Sequence, residues 1–187
     1  MARYALIVGI AQYDAKGLAQ LEKTTTDAEA VAQVLEKYGE FTEVQRLPSR
    51  INSETKKRAM VNQPVTANEL WQAIETLLNE QARNNEALIY FTGHGLKAEG
   101  RSGKPRGYLA TSDCHIKADV IKSEGNKDES RITEVQGGVA FDDLNDLISK
   151  SELSSLVILL DCCHSGNFIV SNLIKHSFGI SLEKDYY

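Results

Sequence analysis

Two short segments of the sequence carry residues that could act together as a nucleophile and a base. Cys163 lies in the segment Asp-Cys-Cys-His-Ser-Gly (161–166), and His94 lies between two glycines in Thr-Gly-His-Gly (92–95). A cysteine attacks as its thiolate, and a neighbouring histidine can promote that state and later protonate a leaving amine. Backbone N–H groups beside the nucleophile can stabilise an oxyanion, and the candidate donors are those of Cys163 and Gly95.

Each segment also has an interpretation without chemistry. A lone cysteine at the end of a strand is usually a core residue, and a lone Gly-His-Gly is more often a turn. Strand alternation distinguishes the two adjacent cysteines, because neighbouring side chains point to opposite faces. Cys162 is therefore expected to point into the core, and Cys163, beyond the strand, is the better nucleophile. The occurrence of both segments after equivalent buried strands favours an enzyme.

The elements that must position these segments alternate between strand and helix. Four strands are predicted, at 4–10, 41–47, 87–92 and 153–160, and all but the second are predicted to be buried. Helices are predicted at 26–38, 66–78 and 141–149, with Thr26 or Asp27 capping the first, Gly39 ending it and Thr66 capping the second. Segments 49–63 and 115–138 predict loops, and 108–111 predicts a short strand. This order predicts an α/β fold with a mostly parallel sheet, in which the carboxyl ends of the strands meet at one edge.

The composition fits one domain and narrows the class of protein. The chain has 187 residues, of which 42% are hydrophobic and 25% are charged, so we expect a single domain over 1–187. A net charge of −5 argues against nucleic acid as a partner. No apolar run approaches the ~20 residues that span a bilayer, and no signal peptide pattern is present, so we expect no membrane partner. Three cysteines, two of them adjacent, make a poor disulfide framework and predict a reducing, cytoplasmic setting.

The two motifs resemble those of the caspase-like cysteine proteases, and specifically of the metacaspases and bacterial orthocaspases. Phe-Thr-Gly-His-Gly (91–95) resembles the histidine motif of the family, and Val-Ile-Leu-Leu-Asp-Cys-Cys-His-Ser-Gly (157–166) resembles its nucleophile motif. The apolar run 4–10 and the later Asp-Ala pair (27–28) resemble the first strand and helix. The resemblance implies a three-layer caspase-like fold, with the sheet flanked by helices, in which a Cys163–His94 dyad hydrolyses peptide bonds.

The residues before the nucleophile depart from the pattern of true caspases. Their motif has Gln-Ala before the cysteine, where this chain has Asp161 and Cys162. An acidic residue at this position should reject aspartate and attract a cationic side chain. The resemblance to metacaspases implies that Asp161 and Asp27 form an acidic pocket, with Thr92 at the usual serine, for peptide or protein substrates with Arg or Lys before the scissile bond. Asp27 also has an alternative role as a helix cap, and Asp161 as a buried, hydrogen-bonded carboxylate.

Calcium is the metal that the resemblance to metacaspases suggests as a ligand. In many metacaspases it binds an aspartate cluster, to which Asp113 and the pair Asp142 and Asp143 are similar, but Val170 stands at the fourth position. Calcium takes ~6–8 oxygen ligands, so the loss of a carboxylate weakens the site. We therefore expect no required metal or other cofactor, with weak calcium binding as the alternative.

The resemblance also predicts that this chain is a large catalytic subunit. The family's sheet continues beyond the nucleophile with small-subunit strands, and this chain stops about where the next strand is expected. The fourth strand would then have an open edge, so we expect a C-terminal segment or a small caspase-like subunit to complete the sheet. A longer parent chain is expected to cut itself after Lys175 or Lys184. The alternative functions are a catalytically silent caspase-like adaptor, against which the intact motifs argue, and a thiol acyltransferase.

Overall fold

A computed structural model describes residues 1–54, 56–99, 104–121, 129–162 and 177–181. Its α-helices are α1 (Thr24–Tyr38), α2 (Ala67–Thr76), which continues into a π-helical turn (Leu77–Gln81), and α3 (Phe141–Lys150). Its strands are β1 (Arg3–Gly9), β2 (Glu43–Leu47), β3 (Ser49–Ile51), β4 (Arg58–Met60), β5 (Glu86–Thr92), β6 (Gly95–Glu99), β7 (Pro105–Leu109), β8 (His115–Ile121), β9 (Glu129–Gln136), β10 (Val139–Ala140), β11 (Ser155–Asp161) and β12 (Ser177–Ser181).

The central sheet has the strand order β12-β11-β5-β1-β2, and all its neighbouring strands are parallel. Helix α1 contacts β1, β2 and β5, whereas α2 and α3 belong to the core on the opposite face. The predicted three-layer α/β fold with a parallel sheet is confirmed. None of the helices in the described ranges is both long enough and apolar enough to cross a membrane.

The two faces of the sheet carry cores of different size. Alternate residues of β1, β5 and β11 pack with α2, the π-helical turn and α3 in the larger core. Its fully buried members include Leu6, Val8, Leu70, Ile74, Leu77, Leu78, Ile89, Phe91 and Leu144. Complete burial of such a side chain contributes about 1.5–3 kcal/mol. The smaller core, under α1, has four buried members, Ala5, Ile7, Ala28 and Ala32.

The starts of two helices test the capping predictions. The Thr66 Oγ1 atom accepts a hydrogen bond from the Glu69 N–H at 3.2 Å, and the Thr66 N–H donates to Glu69 Oε2 at 2.8 Å. This capping box confirms Thr66 as the cap of α2. The predicted cap of α1 is wrong, because that helix begins at Thr24, so Thr26 and Asp27 lie in its first turn. The Asp27 N–H donates to the Lys23 carbonyl at 2.9 Å, so the helical hydrogen bonds begin before the predicted caps.

Two segments predicted as loops contain antiparallel hairpins instead. Segment 49–63 contains the β3–β4 pair, and segment 115–138 contains the β8–β9 pair. Both segments are rich in polar residues, but Ile116, Ile132 and Val135 of the second hairpin pack against the larger core. The strand predicted at 108–111 is β7, which pairs with β6 and β10 in a small antiparallel sheet. The hairpins form because a few apolar contacts suffice when the backbone groups pair with each other.

The predicted open edge of the fourth strand is also wrong. Strand β12 pairs in parallel with β11 from Leu156–Ser177 to Leu160–Ser181. The β11 backbone groups therefore have partners on both sides, β5 and β12. At this side of the described sheet the edge is β12.

Candidate active site

Three parallel strands of the central sheet end at the same level. Thr92 is in register with Gly9 of β1 on one side and with Asp161 of β11 on the other. His94 follows Thr92 by two residues, and Cys163 follows Asp161 by two residues. Adjacent strands lie about 4.8 Å apart, so the two motifs leave the sheet at neighbouring points. Cys163 itself, with the rest of its motif at 164–166, lies outside the described residues.

His94 is partly buried and is held by contacts on its backbone and its ring. Its N–H donates to the Tyr13 hydroxyl at 2.8 Å, and the two rings are 4.7 Å apart with a tilt of 57°. Its Nε2 atom lies 2.8 Å from the carbonyl oxygen of Ala19, in the loop between β1 and α1. Because a carbonyl only accepts, this hydrogen bond requires the proton on Nε2, which leaves the Nδ1 lone pair available in the neutral ring.

Tyr13 fixes the loop that approaches His94. The phenol is 3% exposed and donates to the Ile10 carbonyl at 3.1 Å. Burial raises the pKa of Tyr13 far above its usual value, although the hydrogen bond from the His94 N–H opposes part of this effect, so the phenol stays neutral. The Tyr13 backbone and the Gln20 side chain exchange two hydrogen bonds, at 3.1 and 2.8 Å. This reciprocal pair closes the loop that contains Ala19.

The residues on either side of His94 have distinct structural roles. A Cβ atom on Gly93 would lie 2.8 Å from the Tyr13 hydroxyl and 2.9 Å from the Phe91 ring, so only glycine fits without a shift. Gly95 begins β6 opposite Leu109. The His94 carbonyl accepts from the N–H of the residue after Leu109, Ala110, at 2.9 Å. The Gly95–Leu109 pair is therefore of the non-hydrogen-bonded type, in which the Gly95 N–H points away from β7.

A group of polar residues lies on the α1 face beside this edge. Tyr90, Thr92 and Asp161 share the face, because they alternate with core residues along their strands. The Tyr90 hydroxyl donates to Asp161 Oδ2 at 3.4 Å, and Thr92 is buried. Asp27 is exposed in the first turn of α1. Burial, together with the negative charges of Asp161 and Asp27, raises the pKa of Tyr90 to about 12. Both carboxylates therefore act on one phenol.

Asp161 and Cys162 confirm that consecutive residues of this strand diverge. Cys162 is buried in the larger core, where the alternation predicted it, while Asp161 is partly buried on the other face. The alternative role of Asp161 as a buried, hydrogen-bonded carboxylate fits only in part, because its contact with Tyr90 is long for an O–H···O bond. Cys114 is also buried, and burial, with the nearby charge of Asp113, raises the pKa of its thiol to about 11.

The aspartates compared with calcium ligands contact protein groups. Asp113 Oδ1 accepts from the Ala67 N–H at 2.9 Å, at the start of α2, and from the Thr111 hydroxyl at 2.7 Å. Asp142 and Asp143, at the start of α3, face Arg106 at 3.1 and 4.0 Å. In the part of the chain that the structure describes, no three His, Cys, Asp or Glu residues are grouped so as to hold a metal ion. Position 170 lies outside that part.

Tyr13, Tyr90 and the Ala19 carbonyl are site groups that the motifs did not reveal. Tyr90 shares the strand parity of Thr92, which is a sequence signal for its face, but nothing local marks its contact with Asp161. Tyr13 and Ala19 reach His94 across 81 and 75 residues of sequence. Such contacts follow from the tertiary fold, and no motif spacing encodes them.

The comparisons with known proteins agree with the fold and identify a family. No curated protein matches the chain. Among solved structures, the chain is similar to the crystal structure of protein GSU0716 from Geobacter sulfurreducens, with a TM-score of 0.52 and 17% identity over 88% of this chain and 52% of that one. The chain thus spans about half the length of that protein, and the likeness shows the fold alone. A family model described as the caspase domain (Peptidase_C14) matches residues 2–185. The chain belongs to this caspase-like family of cysteine peptidases.

Proposed function

We propose that the protein is a metacaspase- or orthocaspase-like cysteine endopeptidase that uses a Cys163–His94 dyad and cuts after Arg or Lys. The observation that carries the proposal is the register between Thr92 and Asp161. Each proposed catalytic residue follows one member of this pair by two positions, at the edge of a parallel sheet where α/β proteins bind their ligands. The membership of the caspase-domain family supports the same chemistry.

The His94 contacts support a role as acid and base. With Nε2–H bound to the Ala19 carbonyl, Nδ1 can take the proton of the Cys163 thiol. The thiolate then attacks the peptide carbonyl carbon, and protonated His94 gives its proton to the leaving amine. A water molecule, deprotonated by His94, hydrolyses the resulting thioester and restores the thiol. The Ala19 carbonyl holds the imidazole in one tautomer and orientation throughout.

The oxyanion that forms during each attack needs hydrogen-bond donors. We assign this role to the backbone N–H groups of Gly95 and Cys163. The Gly95 N–H supports the assignment, because it points away from β7 and so is not used in that strand pair. Donors that are fixed by the fold stabilise developing charge without any reorganisation.

The acidic residues support a pocket for a cationic side chain. Asp161 contacts the Tyr90 hydroxyl, and Asp27 lies in the first turn of α1, which packs on the same face of the sheet. Thr92, in register with Asp161, contributes a buried hydroxyl at the same place. A site with two carboxylates favours Arg or Lys before the scissile bond and disfavours Asp.

The proposal includes a setting and a partner. Three cysteines, two of them adjacent, make a poor disulfide framework, so we place the protein in the reducing cytoplasm. A small caspase-like subunit or C-terminal segment would extend the sheet at the outer edge of β12. In a longer parent chain, we expect self-cleavage after Lys175 or Lys184, which flank β12 in sequence and lie outside the described residues. N-terminal sequencing of fragments from the wild type and from Cys163→Ala tests this cleavage. We expect no fragments in the variant.

Active-site labelling tests the proposed function directly. An arginyl chloromethyl ketone and an aspartyl chloromethyl ketone are each incubated with the full chain, and the modified cysteine is located by mass spectrometry. We expect the arginyl reagent to alkylate Cys163 and the aspartyl reagent to leave it largely unmodified. Cys163→Ala should take up neither reagent. Labelling at Cys162 instead, or a preference for the aspartyl reagent, would contradict the assignment.

A further inference from the structure

Tyr90 lies on the polar face of the sheet between the proposed pocket and the small core under α1. It precedes Thr92 by two residues and is in register with Ile7 and Leu159. Its ring packs against the small core, and its hydroxyl reaches Asp161 Oδ2 at 3.4 Å. The ring is thus fixed by apolar neighbours, whereas the hydroxyl faces a carboxylate at the end of a strand.

The donor and the acceptor of this hydrogen bond follow from the protonation states of the two groups. The phenol is the donor and the Asp161 carboxylate is the acceptor, because burial and the charges of Asp161 and Asp27 keep Tyr90 protonated by raising its pKa to about 12. One carboxylate oxygen faces the phenol, so the other can face a ligand. The 3.4 Å distance is long, and such contacts often tighten when the ligand is bound.

From this geometry we infer that Tyr90 is a specificity-determining positioning residue, whose hydroxyl orients the Asp161 carboxylate toward a guanidinium or ammonium group. The inference rests on the proposed cationic specificity but assigns a residue outside the two motifs. Asp161 lies at a strand end, where a short side chain has rotamer freedom. A donor on a rigid ring restricts that freedom, so less conformational entropy is lost when the carboxylate binds a cation. Tyr90 contacts the substrate only through Asp161.

Binding of agmatine, the decarboxylated analogue of arginine, tests this role without requiring turnover. The full chain carrying Cys163→Ala is titrated with agmatine by calorimetry or by NMR shifts. Tyr90→Phe in this background should weaken binding about 3- to 10-fold, the size of one typical intramolecular hydrogen bond. Tyr4→Phe is the matched control, because Tyr4 is also partly buried but lies near the start of β1, away from the strand ends that carry the proposed pocket. The Tyr4→Phe variant should bind agmatine with unchanged affinity.

A double-mutant cycle separates positioning from general packing. If Tyr90 acts through Asp161, then Tyr90→Phe should have almost no further effect once Asp161→Asn is present. Additive losses in the double variant would show that the ring only supports the fold and would overturn the inference. An unchanged affinity in Tyr90→Phe alone, or no agmatine binding by the parent protein, would overturn it equally.

Peptide turnover distinguishes failure of this inference from failure of the proposed function. In the chain with Cys163 intact, the ratio of kcat/KM for an arginine peptide over its neutral citrulline isostere should fall about 3- to 10-fold in Tyr90→Phe, with most of the change in KM. If the wild type cleaves neither peptide but binds agmatine, the proposed protease activity is refuted, whereas the proposed cation pocket is supported. A wild type that strongly prefers arginine, with the same ratio in Tyr90→Phe, would refute only the role of Tyr90.

Discussion

The two faces of the central sheet differ in how they are held together. On one face, the π-helical turn and helices α2 and α3 cover large apolar side chains such as Ile89 and Phe91. On the other face, α1 packs on a smaller buried core, and Arg46 of β2 forms ion pairs with two glutamates of the helix. One face thus resembles an ordinary protein core, whereas the other combines a thin apolar layer with charged groups.

This difference explains how neighbouring residues can have opposite roles. Phe91 and Thr92 are consecutive, yet the first is a core residue and the second lies beside the proposed pocket. Leu160 and Asp161 repeat the arrangement one strand away. The apolar face fixes the strands, and the polar face can then present carboxylates, because they remain near solvent and near each other. The following predictions test this division.

The largest effects are expected at the proposed dyad. Cys163→Ala and His94→Ala should each lower kcat by about 10³-fold or more, because the two residues act as a unit. Cys162→Ala, one residue away but on the core face, should retain most of the activity and lose only some stability. Peptide hydrolysis and circular dichroism on the three variants provide the measurement. An inactive, folded Cys162→Ala together with an active Cys163→Ala would reverse the assignment.

Loss of the Asp161 carboxylate should have the next largest effect on catalysis. A desolvated pair of opposite charges is worth about 2–5 kcal/mol on truncation, so Asp161→Ala should reduce kcat/KM for an arginine peptide by about 10²-fold or more. The free energy of unfolding should change little, because Asp161 is not a member of either hydrophobic core. Activity is measured with a peptide library. Preference for acidic residues before the scissile bond would show that the polar face does not form a cation pocket.

Arg46 tests whether ion pairs stabilise the α1 face. Its side chain is 3% exposed and contacts Glu29 at 2.9 Å and Glu36 at 2.6 Å. Arg46→Met should lower the free energy of unfolding by about 2 kcal/mol, since Glu29 and Glu36 both lose their charged hydrogen-bond donor. Arg83→Met is the control, because the Arg83–Glu152 pair is largely exposed and should contribute less than about 1 kcal/mol. Urea unfolding measures the loss of stability in both variants. Equal losses would contradict the distinction between the buried and the exposed ion pair.

The same network predicts a pH dependence. Burial alone would raise the pKa of Glu29, but hydrogen bonds from Arg46, the Met60 N–H and Gln33 outweigh it and lower the pKa below the usual value. A lowered pKa in the folded state means that this stabilisation is present above the pKa of the unfolded chain and is lost as the pH falls. The acid loss of stability should therefore be steeper in the wild type than in Arg46→Met. Urea unfolding at a series of acidic pH values provides the comparison.

Calcium removal should have the smallest effect. Asp113 already accepts hydrogen bonds at the start of α2, and Asp142 and Asp143 face Arg106. Calcium takes ~6–8 oxygen ligands, and these three carboxylates already bind protein groups. A chelator should therefore change activity by less than about twofold. Complete loss in chelator, with recovery at millimolar calcium, would show that these aspartates form a site.

The sequence predicted the parts of the fold that local patterns specify. The continuous apolar runs of β1, β5 and β11 predicted buried strands, and Thr66 predicted a helix start. The β8–β9 hairpin was missed because its segment is rich in polar residues, and β12 was missed because its place beside β11 is set by the tertiary fold. At the site, the motifs predicted that the carboxyl ends of β5 and β11 meet at one edge of the sheet. They did not predict Tyr90, because its contact with Asp161 spans 71 residues of sequence.

The hydrogen bond between His94 and the Ala19 carbonyl has a consequence for how this site can change over evolution. Almost any residue at position 19 offers the same backbone oxygen, so substitutions there are nearly silent with respect to this contact. Selection can act instead on the loop geometry, which depends on the reciprocal bonds between Tyr13 and Gln20. The record of this interaction in related sequences is therefore expected at positions 13 and 20, and in the length of the loop between them. An insertion there would displace the oxygen while both sequence motifs remained intact.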